Sequence, residues 1–457
     1  MEWLRPLAEW SSGESAEAQA AAVRARAASA VLDWFGALYA GAASPLSERY
    51  CGAVRRLSGA DTLPLPEAAW LLAALSHIEE IDDGHRLAML HPGVVVMPAI
   101  FPMLQPGRES TIGEILTAIT VGYECAVRTG AALGPEHYKR YHSSATAGCF
   151  GAAAAAGKMM GLSVEQLMWA FGHAGTQAAG LWQILDDGAE EAKAAHIGYA
   201  VRNGLFAASL ASEGIPGATR ILEGERGMAA SAGLQADRAK LVPPAVPDET
   251  ALATATMKFW PVCGQIHHIL DAVALLVRDR NIRPDTIQSV TIRSFEATKR
   301  VAGITEPETI AQARFSTTFC VALLIVAGRL DLSVLKPEVL GGEDIRALAA
   351  RVNVVADDAL TARFPAERAC HVAISFSNGE TFEIAHEGRR GDAEQPLSAQ
   401  EMEERFDAAA YKQSPAQRVA VREFVGRLAE DDWASPVREA DVASLLAAAA
   451  SKQGIEA

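Results

Sequence analysis

Aromatic side chains are scarce in this 457-residue chain, at 6%, while half of the residues are hydrophobic and alanine is abundant. A core filled by such small groups suits closely packed helices. The six cysteines, Cys51, Cys125, Cys149, Cys263, Cys320 and Cys370, are scattered, with no CxxC pair and no zinc-like spacing. That pattern argues against a thiolate metal site and reads as small buried hydrophobes. Basic charge is not in excess either. The net charge is −15, and no basic stripe with interleaved aromatics occurs, so nucleic acid is not an expected partner. An anionic substrate would have to be held by a few local cations against the overall charge. The N-terminus lacks a basic segment followed by an apolar one, so no signal peptide is expected. The uncharged run Gln166–Leu185 carries His173, Thr176, Gln177 and Gln183 and reads as a buried core helix, not a membrane span. A cytoplasmic protein without membrane contact is the expectation.

What the chain does have is a dense polar stretch. His77–His91 holds two glutamates, two aspartates and three histidines in fifteen positions, then turns apolar after Pro92. Placing such a cluster between two core-seeking segments is costly unless its groups pair with each other or with a ligand.

In chain order, Ser15–Ala40 reads as one amphipathic helix and Pro66–Ile81 as the helix leading into the polar stretch. Pro92 suits the first turn of the next helix. Thr111–Leu133 follows, capped by Ser110 or Thr111 and ended by Gly134–Pro135. Ser143–Gly161 is an Ala-rich helix that must lie deep. Ser163 opens another helix with a capping-box pattern, carrying Met168, Phe171, Ala174 and Leu181 inward. An acidic loop, Asp186–Glu191, leads to Lys193 and the helix Ala194–Ser212. Strand text begins only after the Pro-rich linker Val242–Asp248. Thr286–Ser294, Arg351–Ala356, Cys370–Phe376 and Thr381–His386 read as strands, the last two joined by an Asn378-Gly379 hairpin turn. Glu308–Val326 and Gly342–Ala350 read as helices between them, and helical text returns from Ser398. The fold expected is mainly α: a large all-helical domain, residues 1–257 and 396–457, with an inserted smaller α+β domain, 258–395.

Several groups are candidates for chemistry. Glu80, Asp82, Asp83, His85 and His91 can form an acid/base cluster, or equally a solvated helix end. His142 precedes Ser143-Ser144-Ala145-Thr146 at a helix start, where free N–H groups favour a carboxylate, although plain capping explains the same text. Lys193 heads an apolar helix with His196 on the same face, and Lys258 precedes Phe259-Trp260-Pro261. His267 and His268 open another apolar helix. Metal binding is not expected, because no HExxH and no DDxxD spacing occurs. No Gly-rich phosphate loop follows a strand, which argues against a dinucleotide.

These pieces together resemble the MmgE/PrpD family, whose members include 2-methylcitrate dehydratase, cis-aconitate decarboxylase and iminodisuccinate epimerase. His77…Asp82-Asp83…His91-Pro92 is similar to the family's H-A-x-D-[FY]-D-D-T…H-P segment. His142-Ser143-Ser144-Ala145-Thr146-Ala147-Gly148 is similar to its H-x-T-x-x-x-G helix start. Lys193…His196…Gly198…Arg202-Asn203-Gly204 is similar to K-x-x-H-x-G-x-A-A-R-N-G, and Lys258…Pro261…His267…Asp271-Ala272 to K-x-[YF]-P…H…D-A. The likeness runs from about residue 15 to residue 430.

The resemblance implies a homodimer that uses no metal or organic cofactor and an active site in a cleft between the two domains. It also implies acid/base chemistry at a carbon next to a carboxylate. Glu80, His91, His142, Lys193 and His267 are then the catalytic set. His85, Ser143, Thr146, Lys258 and Phe319 are placed around a small carboxylate substrate. The leading expectation is a cofactor-independent lyase, dehydrating or decarboxylating a polycarboxylate. The alternatives are an epimerase or isomerase, and a non-catalytic ligand-binding homologue. Three positions depart from the family pattern: Glu80 stands for Asp, Gly84 for Thr and Phe319 for Tyr. Together they alter the pocket expected of a 2-methylcitrate dehydratase.

Overall fold

The computed structural model describes residues 2–15, 21–59, 63–104, 109–246, 249–278 and 282–450. Helices dominate. In chain order they are α1 (Arg5–Gly13), α2 (Ala21–Ala42), α3 (Pro45–Ser58), α4 (Leu65–His77), α5 (Gly93–Ile100), α6 (Ile112–Tyr138), α7 (Ser143–Met160), α8 (Val164–Gln177), α9 (Gln183–Asp186), α10 (Lys193–Ser212) and α11 (Met228–Ser231). Then come α12 (His267–Val277), α13 (Glu296–Val301), α14 (Ile310–Ala313), α15 (Thr317–Ala327), α16 (Glu343–Ala349), α17 (Asp358–Arg363), α18 (Ala399–Ala409), α19 (Pro415–Glu430) and α20 (Glu439–Ala450). The strands are β1 (Ser110–Thr111), β2 (Ile287–Ser294), β3 (Val352–Ala356), β4 (Ala369–Phe376), β5 (Thr381–Glu387) and β6 (Pro436–Val437). No helix among the described residues is long and apolar enough to cross a membrane.

The chain forms two compact units. The first comprises Met1–Ile78, Asp82–Thr256 and Met402–Ala457, and the second Glu79–Ile81 and Met257–Glu401. In the first unit α7 is the central helix, packed by α6, α10, α8 and α5. Its small residues permit this. A Cβ on Gly151 would lie 2.6 Å from the Ala126 Cβ and 2.8 Å from the Gly122 carbonyl oxygen, so α6 and α7 approach backbone to backbone. The few aromatics gather elsewhere, with Trp34 stacked on Phe101 at 5.2 Å and Phe424 edge-on to Phe35. A buried ion pair between Arg405 and Asp33 joins α18 to α2.

The second unit is α+β. Its sheet runs β3-β2-β4-β5, with β2 parallel to β3 and antiparallel to β4. The Asn378-Gly379 turn closes the β4–β5 hairpin, with Gly379 at φ 88°. Helix α12 packs on the sheet and on α15.

The structure corrects several element boundaries. The helix expected over Ser15–Ala40 is α2, which begins at Ala21, with residues 16–20 outside the described set and a separate α1 before it. From Ala30 onward α2 is buried on every face rather than amphipathic. The helix expected over Pro66–Ile81 ends at His77. The regular part of α6 does end at Gly134, φ 73°, as the sequence indicates, and a further helical turn follows to Tyr138. Helix α8 stops at Gln177, so Leu181 is 55% exposed instead of inward. The segment Glu308–Val326 is two helices, because the Ser316 side chain accepts the Phe319 N–H and starts α15 afresh. Residues Glu79–Ile81, read from sequence with the helical domain, belong to the second unit. Pro247 and Asp248 of the linker lie outside the described residues.

Candidate active site

The polar stretch is held by its own buried contacts. Among the described residues, the two non-glycine positions with positive φ are Glu80 (53°) and Met89 (52°), and both fall here. Left-handed backbone at such residues costs roughly 1–2 kcal/mol and persists where surrounding contacts impose it. Asp83 is one such contact. Its Oδ1 accepts the Gly93 N–H at 2.9 Å and its Oδ2 the Tyr123 hydroxyl at 2.7 Å. A Cβ on Gly93 would lie 2.8 Å from Asp83 Oδ1, so the first residue of α5 has to be glycine. Burial raises the Asp83 carboxyl to about 7, against the two hydrogen bonds that lower it.

Four elements of the first unit deliver a cluster of imidazoles and one ammonium. His77 ends α4, His91 precedes α5, His142 precedes α7, and Lys193 and His196 begin α10. His77 Nδ1 lies 2.8 Å from Asp82 Oδ2, and His77 Nε2 lies 2.6 Å from Lys193 Nζ. An anionic carboxylate takes the Nδ1–H, which leaves Nε2 as the acceptor of a lysine N–H. His91 Nδ1 sits 2.7 Å from the Asp83 carbonyl oxygen and 3.0 Å from Asp82 Oδ2, so Nδ1 also carries its proton. The backbone N–H of His91 donates to Ser144 Oγ at 3.0 Å, tying the stretch to the first turn of α7. His142 stacks near His77 with ring centroids 5.6 Å apart and lies 4.6 Å from the Trp182 ring.

His142 is the unusual member. It is 1% exposed, yet neither ring nitrogen has a hydrogen-bond partner among the described residues. The adjacent Ser143 Oγ is buried and unpartnered in the same way. Burial first, then the nearby Lys193 and the other imidazoles, hold His142 well below the ordinary histidine range. It is therefore a neutral ring at physiological pH. Burial and Lys193 likewise bring His196 down to about 4. A buried polar group left unpaired costs about 1–3 kcal/mol. A ligand with oxygen atoms at the start of α7 would satisfy both groups and the free helix N–H groups together.

The other sequence candidates make the following contacts. His85 Nε2 pairs with Thr254 Oγ1 at 3.0 Å, and its backbone N–H donates to the Leu90 carbonyl, so its ring is engaged outside the cluster. Thr146 is buried in α7, with Oγ1 3.4 Å from the His142 and Ser143 carbonyls. In the second unit, Lys258 Nζ reaches the Glu80 carboxylate. His267 is fully buried, with Nε2 3.1 Å from the Val262 carbonyl and Nδ1 unpartnered among the described residues. Burial, with Lys258 and Arg389 nearby, keeps it neutral. Phe319 is buried in the first turn of α15. At Gly84 a Cβ would meet only the Leu90 carbonyl at 3.7 Å, so the backbone does not demand glycine there.

Nitrogens of His77, His91 and His142 come within 4.8 Å of one another, a spacing a metal cation could use. A cation there would have to displace Lys193 from His77 Nε2 and would stand beside its ammonium. That donor set fits an anion better than a cation. The catalytic and substrate-binding sets expected from the sequence did not include Trp182, nor His77, Asp82 and His196, although Asp82 and His196 stood among the candidates and His77 in the motif. The i, i+5 pairing of His77 with Asp82 follows no helical period, and Trp182 comes from a turn, so neither had a periodic signal. His196 did have one, three residues after Lys193.

The chain is 27% identical over 376 residues to cis-aconitate decarboxylase of Homo sapiens, covering 77% of this chain and 73% of that one. It is 28% identical over 295 residues to cis-aconitate decarboxylase of Aspergillus terreus, 60% and 59% of the two chains. It is 26% identical over 409 residues to the cis-aconitate decarboxylase-like protein oryM of Aspergillus oryzae, 84% and 82%. Residues 5–238 match the MmgE/PrpD N-terminal domain and residues 260–430 the MmgE/PrpD C-terminal domain. With both domains matched in order, and the motif residues His77, His91, His142 and Lys193 gathered into one cluster, this chain belongs to the MmgE/PrpD family.

Proposed function

We propose that the protein is a cofactor-independent lyase that decarboxylates a small unsaturated polycarboxylate of the cis-aconitate type. The observation that carries this reading is the pair of buried side chains at the start of α7, His142 and Ser143, unpartnered among the described residues and near Lys193. A carboxylate seated there would accept from Ser143, from neutral His142 and from the α7 N–H groups, with Lys193 supplying the positive charge. The names of the similar proteins point to the same substrate class.

In the proposed step, the bond between carbon and one carboxylate breaks and carbon dioxide leaves. The electron pair stays on the carbon skeleton, spread over the adjacent double bond. A proton from the Lys193–His77 pair then bonds to that carbon, and water returns the proton to the pair. A site that excludes water strengthens each of these electrostatic contacts.

The test is incubation with a panel of unsaturated, hydroxy- and amino-polycarboxylates in deuterated water. Carbon dioxide release with one deuterium fixed in the product is expected. Deuterium exchange or inversion without loss of carbon dioxide would replace this reading with an epimerase. Loss of water alone would make the protein a dehydratase, and binding without exchange a non-catalytic homologue.

For the quaternary state we propose a homodimer formed through the outer face of α10. Tyr199, Phe206 and Leu210 lie on that face at helical spacing and are 48%, 53% and 37% exposed.

A further inference from the structure

The proposed chemistry needs Lys193 held at one place and aligned by a hydrogen-bond acceptor, and the structure assigns that task to a residue outside the expected catalytic set. We propose that His77 is a positioning residue, using Asp82 to fix its tautomer and its Nε2 to hold Lys193 Nζ. This rests on the lyase reading given above. The geometry is a buried line: Asp82 Oδ2 to His77 Nδ1 at 2.8 Å, then His77 Nε2 to Lys193 Nζ at 2.6 Å. All three residues are at least nine-tenths buried, at 1%, 2% and 4% exposure. A lysine carries three donors on a flexible stem and finds its own geometry poorly. An imidazole anchored at the end of α4 supplies the missing direction. Asp82 also faces His91 Nδ1 at 3.0 Å, so one carboxylate sets the tautomers of two rings.

The arrangement also constrains how the proton is returned. When Lys193 gives a proton to the carbanion, His77 Nε2 carries none to give back, so water reprotonates the amine while Nε2 keeps it aligned. The ionisable groups facing His77 are Asp82 and His91 from the stretch after α4, His142 from the start of α7, and Lys193 and His196 from α10.

Two variants separate positioning from packing. His77→Gln keeps an oxygen that can accept from Lys193, and His77→Leu fills the volume without an acceptor. With the substrate identified in the panel above, His77→Leu is expected to lower kcat by roughly 100-fold or more with KM changed less than about threefold. His77→Gln should recover at least about a tenth of the wild-type kcat. Equal losses in both variants, or a loss confined to KM, would overturn the proposal. The second measurement does not need turnover: nitrogen-15 spectra of histidine-labelled protein, with the His77 signals identified by their loss in His77→Gln. The expected state near neutral pH has the proton on Nδ1 and none on Nε2. A proton on Nε2 sinks the positioning role whether or not any polycarboxylate is turned over. The expected tautomer with an inert panel would instead sink the lyase reading alone.

Discussion

Lys258 Nζ donates to both ends of one residue, reaching the Glu80 carboxylate at 3.1 Å and the Glu80 backbone carbonyl at 3.0 Å. Both side chains are buried, and Glu80 holds a left-handed backbone. The pair fixes the turn that a continuing α4 would have erased. Removing one member of a buried ion pair is expected to cost about 3–5 kcal/mol, because the remaining charge keeps its desolvation cost. Glu80→Gln and Lys258→Met should each lower stability by that order, and the double variant by clearly less than their sum. Denaturant unfolding of the four proteins measures this, and additive losses would refute the coupling.

Ser143→Ala tests the start of α7 from the opposite side. The hydroxyl has no partner among the described residues, so its removal should leave the melting temperature unchanged or slightly raised. The same variant should raise KM about 5-fold if a substrate carboxylate takes that hydroxyl, equivalent to about 1 kcal/mol. Calorimetry and steady-state kinetics on one preparation decide it, and an unchanged KM would remove Ser143 from the binding set.

His137 gives a pH prediction away from the site. It is buried at the end of α6, stacked on Tyr141 at 5.0 Å, with both ring nitrogens unpartnered among the described residues. Burial lowers it to about 4. An unfolded histidine titrates near about 6.5. Between those values the unfolded chain binds a proton that the folded chain does not. Stability is therefore lost as pH falls from about 6.5 towards 4, and the contribution levels off below. His137→Phe keeps the stacking and removes the titration. At pH 5 it should gain up to about 2 kcal/mol over wild type, and at pH 8 that difference should vanish. Melting curves across pH check this, and a gain independent of pH would show that packing, not protonation, was changed.

The outer face of α10 predicts an association state. Phe206→Glu with Leu210→Glu places two charges on the exposed apolar stripe without touching the buried face of the helix. Light scattering after size exclusion should give a dimer for wild type and a monomer for the variant. A wild-type monomer, or a variant dimer, would exclude this face as the interface.

Much of the fold follows from local rules visible in the text. Ser163 with Gln166 and Thr111 with Glu114 do form capping boxes, and the Asn378-Gly379 turn does close a hairpin. The long small-residue run at Ser143–Met160 is indeed a deeply buried helix, since small residues let neighbours approach on all sides. Motif order was enough to identify the family. Local rules failed where distant atoms outweighed propensity. Helix periodicity carried α4 through Ile81, but Lys258, 178 residues away, holds Glu80 in a conformation that ends it.

The candidate site shows the same division. Its residue types could be read from the sequence: histidines, a lysine heading a helix, and carboxylates in a polar stretch. Which of them meet could not, because the cluster is assembled from four helix ends far apart in the chain, and its hydrogen bonds follow no sequence period. Only the tertiary structure decided that Asp82, His77 and Lys193 form one line and that His85 turns to Thr254 instead. It also decided that the His142 ring and the Ser143 hydroxyl are buried with no hydrogen-bond partner among the described residues. Local interactions fix helices and turns from neighbours within a few residues. Charge, burial and unmet hydrogen bonds depend on what the folded chain brings within a few ångströms, and those are the quantities that make a site.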